Sequence, residues 1–118
     1  MTEKPYSCTG DHSSEMLARL VADHLLNEET GHRLAKLFKA LSDPTRLQII
    51  GLLAHAEMCV GDICLAVGKS QPATSHHLRI LREDNLVKIR RDGQHVLYTL
   101  ADDHIHTLFH QGLDHVTE

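Results

Sequence analysis

The sequence contains no long hydrophobic run. A membrane-spanning helix needs about 20 consecutive apolar residues, and no stretch of the 118 residues approaches that length. No basic segment followed by an apolar one opens the chain, so we also expect no secretory signal. These absences predict a cytoplasmic protein without a membrane partner.

Aromatic residues and cysteines are also scarce. The chain has no Trp, and aromatic residues make up 3% of it, whereas His occurs 11 times. The three cysteines, Cys8, Cys59 and Cys64, are an odd number at spacings that suggest no disulfide framework. We therefore expect a reducing compartment in which the thiols are free to bind metal.

An excess of basic residues is lacking too, which at first argues against nucleic-acid binding. The formal net charge is −4, from 12 Lys and Arg against 16 Asp and Glu. Residues 69–98 nevertheless hold six basic and three acidic side chains, while residues 99–118 hold four acidic and no basic ones. A basic segment inside an acidic protein fits either an ordinary solvated surface or a DNA-binding face.

The length allows one domain, with a core that is thin for a monomer. Residues 1–12 contain Pro5, Gly10 and few apolar groups, which predicts a flexible N-terminal arm. Residues 13–118 form the predicted domain, mainly α-helical with one small β-hairpin. Apolar spacing, cap residues and glycine stops predict helices over about 14–27, 30–41, 44–54, 61–68, 71–84 and 102–118.

Two of these helices form a predicted helix-turn-helix. The shorter one ends at Gly68, which suits a left-handed cap, and Ser70 caps the longer one. The longer helix begins with polar and basic side chains, as a DNA-recognition helix requires. Its predicted exposed face consists of Gln71, Thr74, Ser75, His76, His77 and Arg79.

A β-hairpin is predicted directly after the recognition helix, over residues 86–100. Apolar and polar residues alternate on both sides of Asp92-Gly93, which is a strong hairpin signal. The tip carries Arg90 and Arg91. A basic hairpin in this position is typical of a wing that contacts the DNA backbone.

The terminal helix, residues 102–118, has an apolar stripe that finds little core to cover in so small a domain. We therefore expect it to pack on its own copy in a homodimer. The stripe consists of Ile105, Leu108, Phe109, Gly112, Leu113 and Val116.

The same helix carries two pairs of metal-ligand side chains. Asp102 and His104 lie at its start, and His115 and Glu118 share a face near its end. The pairs are roughly 16 Å apart along a helix, too far for one ion with ligand bonds of about 2 Å. Two antiparallel copies would bring the front pair of one subunit to the back pair of the other. Two His and two carboxylates suit tetrahedral Zn²⁺, although a solvated, His-rich helix end is the alternative.

A second candidate ligand set contains thiols. Cys8 and His12 are four residues apart in the arm, and Cys59 and Asp62 are three apart near the short helix. Together they would offer Zn²⁺, or a thiophilic ion such as Cd²⁺, four ligands. We interpret the remaining His106 and His110 of the terminal helix as surface residues.

Three stretches of the chain resemble the ArsR/SmtB family of metal-sensing bacterial repressors, and are most similar to its zinc-sensing SmtB branch. They are LFKALSDPTRLQIIGLL, EMCVGDICLAVGKSQPATSHHLRILREDNLVKIRRDGQHVLYTL and DDHIHTLFHQGLDHVTE. The resemblance is close over roughly residues 30–118 and looser over the arm. The resemblance implies a winged-helix homodimer with an extra helix at each end. It also implies a repressor that binds operator DNA in the apo form and is released by metal, so that efflux or sequestration genes are derepressed.

The resemblance also implies roles for particular residues. The family's terminal-helix motif falls on Asp102, His104, His115 and Glu118, which favours this site for regulation. Its second metal site falls on Cys8, His12, Cys59 and Asp62. Its DNA-reading residues fall on Gln71, Ser75 and His76, with Ser70, Thr74 and His77 as neighbours, and Arg90 and Arg91 would contact phosphate from the wing.

Several alternatives stay open at this point. The same fold can serve a sensor of cadmium or lead, although Gly61 replaces the second Cys that the cadmium branch usually shows, or of a redox signal or an arsenical through Cys8, Cys59 and Cys64. Zinc is not ranked against cadmium, cobalt or lead by the ligands alone. An enzyme is disfavoured because four protein ligands close the site and no catalytic motif or small-molecule substrate site is evident. A metal buffer that does not bind DNA conflicts with the basic wing.

Overall fold

The computed structural model describes residues 6–8, 10, 12 and 14–118. The predicted cap residue Ser13 and part of the predicted arm lie outside these residues. The chain divides into two compact units, residues 1–33 and 34–118. The elements are α1 (Glu15–His24), α2 (Glu28–Leu41), α3 (Pro44–Leu53), α4 (Val60–Val67), α5 (Gln71–Glu83), β1 (Val87–Asp92), β2 (His95–Leu100) and α6 (Asp103–Thr117).

In the first unit the helix boundaries differ from the predicted ones by two or three residues. Ser14 caps α1, since its Oγ accepts a hydrogen bond of 3.2 Å from the Leu17 N–H. The helix ends at His24 rather than near residue 27 because Leu25 is already extended, with ψ 132°. Asn27 then accepts a hydrogen bond of 2.8 Å from the Thr30 N–H, and α2 begins at Glu28 instead of Thr30.

The second unit contains the hydrophobic core, where α3, α4, α5, the hairpin and α6 meet. Asp43 caps α3 and Pro44 occupies its first turn. The least exposed core side chains are Ile49, Ile50, Ile63, Leu78, Leu81 and Leu86. A Cβ at Gly51 would lie 3.0 Å from Cζ of Phe109, so glycine permits the close approach of α3 and α6.

The predicted helix-turn-helix and hairpin are confirmed. Gly68 ends α4 with φ 69°, and the Oγ of Ser70 caps α5. The strands β1 and β2 are antiparallel, with Val87 opposite Leu100. The two-residue loop is Gly93-Gln94 rather than Asp92-Gly93, because Asp92 still pairs with His95, and Gly93 supplies the positive φ of 63°.

The terminal helix α6 begins one residue after its cap, Asp102, whose Oδ1 accepts a hydrogen bond from the Ile105 N–H. Within one chain α6 packs against α3 and β2. None of the helices in the described residues is both long and apolar enough to cross a bilayer.

Candidate DNA interface and metal sites

The recognition helix α5 presents most of the predicted DNA-reading side chains to solvent. Leu78 and Leu81 are buried against the core and define the inner face of the helix. Side chains on the opposite face therefore point to solvent. Arg79 is held near the neighbouring ring of His76, with 3.1 Å between its Nη2 and His76 Nδ1. The exposed residues among those predicted are Ser70, Gln71, Ser75, His76 and Arg79.

The prediction that Thr74 belongs to this outward face is wrong. Thr74 is 0% exposed, and its Oγ1 has no hydrogen-bond partner among the described residues. Positions 74, 78 and 81 lie on one helical stripe, so the side chain of Thr74 faces the core together with Leu78 and Leu81. A buried hydroxyl cannot contact a base without a rearrangement of the helix.

The ring of His77 also points inward, which corrects its assignment to the DNA-reading face. Its side chain is 18% exposed and lies 3.8 Å from Oδ2 of Asp43 and 3.3 Å from Nη1 of Arg46. Arg46 in turn donates a hydrogen bond of 2.6 Å to the Ala40 carbonyl. These contacts join the recognition helix to the corner between α2 and α3.

Asp43 is the acidic member of this corner. Its Oδ2 accepts a hydrogen bond of 3.0 Å from the backbone N–H of Arg46. This hydrogen bond, assisted by electrostatic attraction to Arg46 and His77, lowers the pKa of Asp43 below its ordinary value of 3.8. Asp43 is therefore a carboxylate at neutral pH and stabilises the start of α3.

The wing carries both predicted phosphate contacts, but their surroundings differ. Arg91 is exposed near the tip of the hairpin. Arg90 is bound by Glu57, whose two oxygens accept hydrogen bonds of 2.7 Å from Nε and 3.2 Å from Nη2. The hydrogen bond lowers the pKa of Glu57 and raises that of Arg90. Sequence reasoning missed Glu57, because the two residues are 33 positions apart and no local pattern joins them.

The front pair of the terminal-helix site comes together within one chain. Oδ1 of Asp102 lies 3.5 Å from Nδ1 of His104. The side chains are 53% and 94% exposed, respectively, so both are open to an ion or a second subunit. Because Asp102 Oδ1 also caps α6, the carboxylate is held in orientation while its second oxygen stays available.

The back pair, His115 and Glu118, is exposed near the other end of α6. The helix separates the two pairs by roughly 16 Å at about 1.5 Å per residue. Within the described part of one chain, no three His, Cys, Asp or Glu side chains form a group that could hold a metal ion. The donor set of two imidazoles and two carboxylates fits zinc only if a second chain supplies half of it.

The thiol-containing set is divided between the two compact units. In the first unit Cys8 and His12 are both exposed. In the second unit Cys59 is the half-buried residue just before α4, and Asp62 is exposed in its first turn. The thiol of Cys59 makes no capping hydrogen bond, so it is not committed to the helix. That these four residues form one site stays a prediction.

His106 and His110 are half-buried rather than fully exposed surface residues. Their ring centroids are 4.4 Å apart, and the ring of His55 lies 5.9 Å from that of His110. The i, i+4 spacing on α6 predicts the first contact. The turn after α3 supplies the second, which local spacing does not reveal.

Two antiparallel strands after a recognition helix whose reading face is open define a winged helix-turn-helix regulator. Residues 43–88 match the family model described as bacterial regulatory protein, arsR family. The chain is 42% identical over 100 residues to the transcriptional repressor SmtB homolog of Synechocystis sp., covering 85% of this chain and 76% of that protein. The chain therefore belongs to the arsR family of bacterial regulatory proteins.

Two further similarities agree with this conclusion. The cadmium resistance transcriptional regulatory protein CadC homolog of Staphylococcus aureus is 40% identical over 85 residues, or 71% of this chain and 70% of that protein. A solved homodimeric winged helix-turn-helix DNA-binding domain from Mycobacterium bovis, of a possible ArsR-family transcriptional regulator, has a TM-score of 0.70 at 29% identity, covering 79% of this chain and 88% of that one. The predictions of a winged-helix fold and of a DNA-binding regulator that is not an enzyme are confirmed.

Proposed function

We propose that the protein is a zinc-responsive repressor, which binds operator DNA as an apo homodimer and leaves it when zinc binds between the terminal helices. The observation that carries this proposal is the division of one ligand set along α6. Asp102 and His104 stand together at 3.5 Å, whereas His115 and Glu118 lie at the far end of the same helix. Two copies complete two equivalent sites, and one copy completes none.

The apolar surface beside α6 supports the dimer. A groove of about 490 Å³ runs between α6, α3 and the end of α2. Phe38, Leu113 and Val116 line it and remain 49%, 42% and 76% exposed in the single chain. A second copy packed there would remove this apolar area from water and would bring two α6 helices together.

Two imidazoles and two carboxylates suit tetrahedral zinc at this site. When bound, zinc supplies a closed tetrahedral centre that links the two chains. Asp102 and His104 of one copy, with His115 and Glu118 of the other, would hold it. A dimer joined in this way keeps its two recognition helices at one fixed spacing, and release follows if that spacing no longer matches successive major grooves.

A second candidate function is the sensing of cadmium or another thiophilic ion. Cys59 and Asp62 at the start of α4 favour it, and so does the similarity to the cadmium resistance regulator. Cys8 and His12 would complete that site from the same chain or from the second copy. Cobalt and lead are further candidates, because the donor types alone do not separate them. A regulator of either kind acts on chromosomal DNA, and we accordingly assign it to the cytoplasm.

One titration tests the proposal. A DNA duplex is first selected from a random-sequence library with the apo protein, and its binding is then measured at fixed salt with increasing Zn²⁺ or Cd²⁺. We expect Zn²⁺ to release the wild-type protein and the His104→Ala variant to stay bound. Release that depends on Cys59 instead would favour the second candidate, and retention of DNA with every metal would refute the sensor function.

A further inference from the structure

The loop between α3 and α4 is attached to the wing. Met58 forms an isolated β-bridge with Tyr98 of β2, in which the Met58 N–H donates to the Tyr98 carbonyl at 3.2 Å and the Tyr98 N–H donates to the Met58 carbonyl at 2.8 Å. On its other side Tyr98 pairs with Ile89 of β1. The residues beside Met58 and Ile89, namely Glu57 and Arg90, are therefore held close to the same point of the wing.

Glu57 occupies one complete edge of the Arg90 guanidinium. Both carboxylate oxygens are used, one with Nε at 2.7 Å and the other with Nη2 at 3.2 Å. Arginine grips a phosphate through the same kind of paired N–H groups. The carboxylate thus stands where a phosphate oxygen pair would bind, and it cancels the positive charge that would attract the DNA backbone.

Solvent exposure keeps the pair exchangeable. The side chains of Arg90 and Glu57 are 50% and 40% exposed, so water screens their attraction and the pair is worth little to stability. A DNA backbone that approaches the wing must either displace Glu57 from Arg90 or accept a carboxylate beside its phosphates. Both outcomes weaken binding relative to a wing in which Arg90 is free.

We propose that Glu57 is a positioning residue that holds Arg90 in the free repressor and lowers its affinity for DNA by competing with phosphate. This inference rests on the proposed function, because it concerns the same DNA-bound state. It assigns the loop before α4 a role in setting how tightly the wing binds, which is separate from the base-reading residues of α5.

The test is a double-mutant cycle with the full-length apo protein and the in vitro selected DNA duplex. Glu57→Gln keeps the shape of the side chain and removes its charge. We expect it to tighten binding by about 2- to 10-fold, since each of two wings loses one surface ion pair. In the Arg90→Gln background we expect Glu57→Gln to change affinity by less than about 1.5-fold, because no arginine remains to be released.

Glu83→Gln is the matched control. Glu83 is an exposed acid at the end of α5, and Arg90 forms its ion pair with Glu57 among the described residues. General repulsion between acids and DNA would make both Gln variants tighten binding alike, in either background, and would overturn the proposal. Unchanged DNA binding by Glu57→Gln would also overturn the proposal. Weaker binding would overturn it too, because it would show that Glu57 orders Arg90 for contact with phosphate.

The behaviour of the wild-type protein distinguishes a failure of the proposed function from a failure of the inference about Glu57. If the apo wild type selects no duplex from the library, or if no metal releases it from the selected duplex, the proposed function fails. If it binds and is released by Zn²⁺ while Glu57→Gln gives no tightening, the inference about Glu57 fails and the proposed function stands.

Discussion

The DNA-binding surface and the proposed terminal-helix metal site differ in how much of each a single chain contains. One chain presents a whole recognition helix and a whole wing, with Gln71, Ser75 and Arg91 already exposed. The same chain contains the metal site only as two pairs at opposite ends of α6. One chain thus presents each half of the DNA-binding surface whole, while the proposed zinc site requires two chains, and single substitutions should affect one property without the other.

The largest expected effect is at the front pair of the metal site. Replacing His104 by Ala removes one of the proposed ligands. We expect zinc affinity to fall by more than about 100-fold, since losing even a residue that only supports a ligand lowers metal affinity 10- to 100-fold. The affinity of the apo variant for DNA should stay within about 2-fold of wild type, because His104 lies on α6 and not on the recognition helix α5. Isothermal titration with Zn²⁺ and a DNA-binding assay measure the two quantities.

His32→Ala is the control for the loss of a histidine as such. His32 is an exposed residue of α2, with 3.7 Å between its Nε2 and Oε1 of Glu28, and it belongs to neither surface. Both properties should survive in that variant. If the apo His104→Ala protein lost as large a factor in DNA affinity as in zinc affinity, the proposed independence of the two surfaces would be wrong.

The reverse separation is expected at the wing. Arg91→Gln removes an exposed positive charge from each hairpin, so the slope of log affinity against log salt concentration should decrease by about 0.9 per wing, or about 1.8 for a dimer. DNA affinity should fall several-fold at moderate salt, and zinc affinity should not change. An unaltered salt slope would mean that Arg91 makes no phosphate contact.

The corner that supports the recognition helix gives a smaller, pH-dependent effect. Because the pKa of Asp43 is lower in the folded protein, its carboxylate stabilises the fold above its ordinary pKa of 3.8, and this stability is lost as the pH falls through the folded value. Asp43→Ala should lower the free energy of unfolding by about 1 kcal/mol at neutral pH, because the helix cap is lost, and by less at low pH. Urea unfolding measures this difference. Asp43→Asn keeps a cap and tests the charge alone. If Asp43→Ala lost the same free energy of unfolding at all pH values, the charge of Asp43 would make no contribution to stability.

The smallest effect distinguishes the inner from the outer face of α5. Thr74→Val keeps the shape and the β-branching and removes a buried hydroxyl that has no partner among the described residues, so we expect a gain of about 1 kcal/mol in the free energy of unfolding. Affinity for the selected duplex should not change. If Thr74→Val lowered DNA affinity without lowering the free energy of unfolding, Thr74 would have to belong to the DNA-reading face.

Local sequence patterns predicted most of the fold. Caps at Asp43, Ser70 and Asp102, the Gly68 stop and the alternation around Gly93 each act within a few residues, so they can be read from spacing. The boundary of α1 was missed because Leu25 breaks the helix although its type continues the apolar stripe.

The errors at the site arise from tertiary structure. Thr74 and His77 are polar residues in a polar stretch, and only the packing of α5 on the core shows that one is buried and that the other meets Asp43 and Arg46. Glu57 reaches Arg90 because a loop pairs with β2, which no periodicity in the sequence encodes. The proposed metal ligands can be picked out of the sequence as residue types, but their convergence would require a second chain.

Mixed dimers test most directly whether the zinc site is shared between chains. His104→Ala and His115→Ala subunits, each with a different affinity tag, are refolded together and the mixed dimer is isolated. In an intersubunit arrangement one site of this dimer has lost both histidines, while the other retains all four ligands. We therefore predict that the mixed dimer binds one more zinc tightly than either parent dimer does, and that it alone regains zinc-induced release from DNA. A mixed dimer that binds no more zinc than its parents would contradict the account.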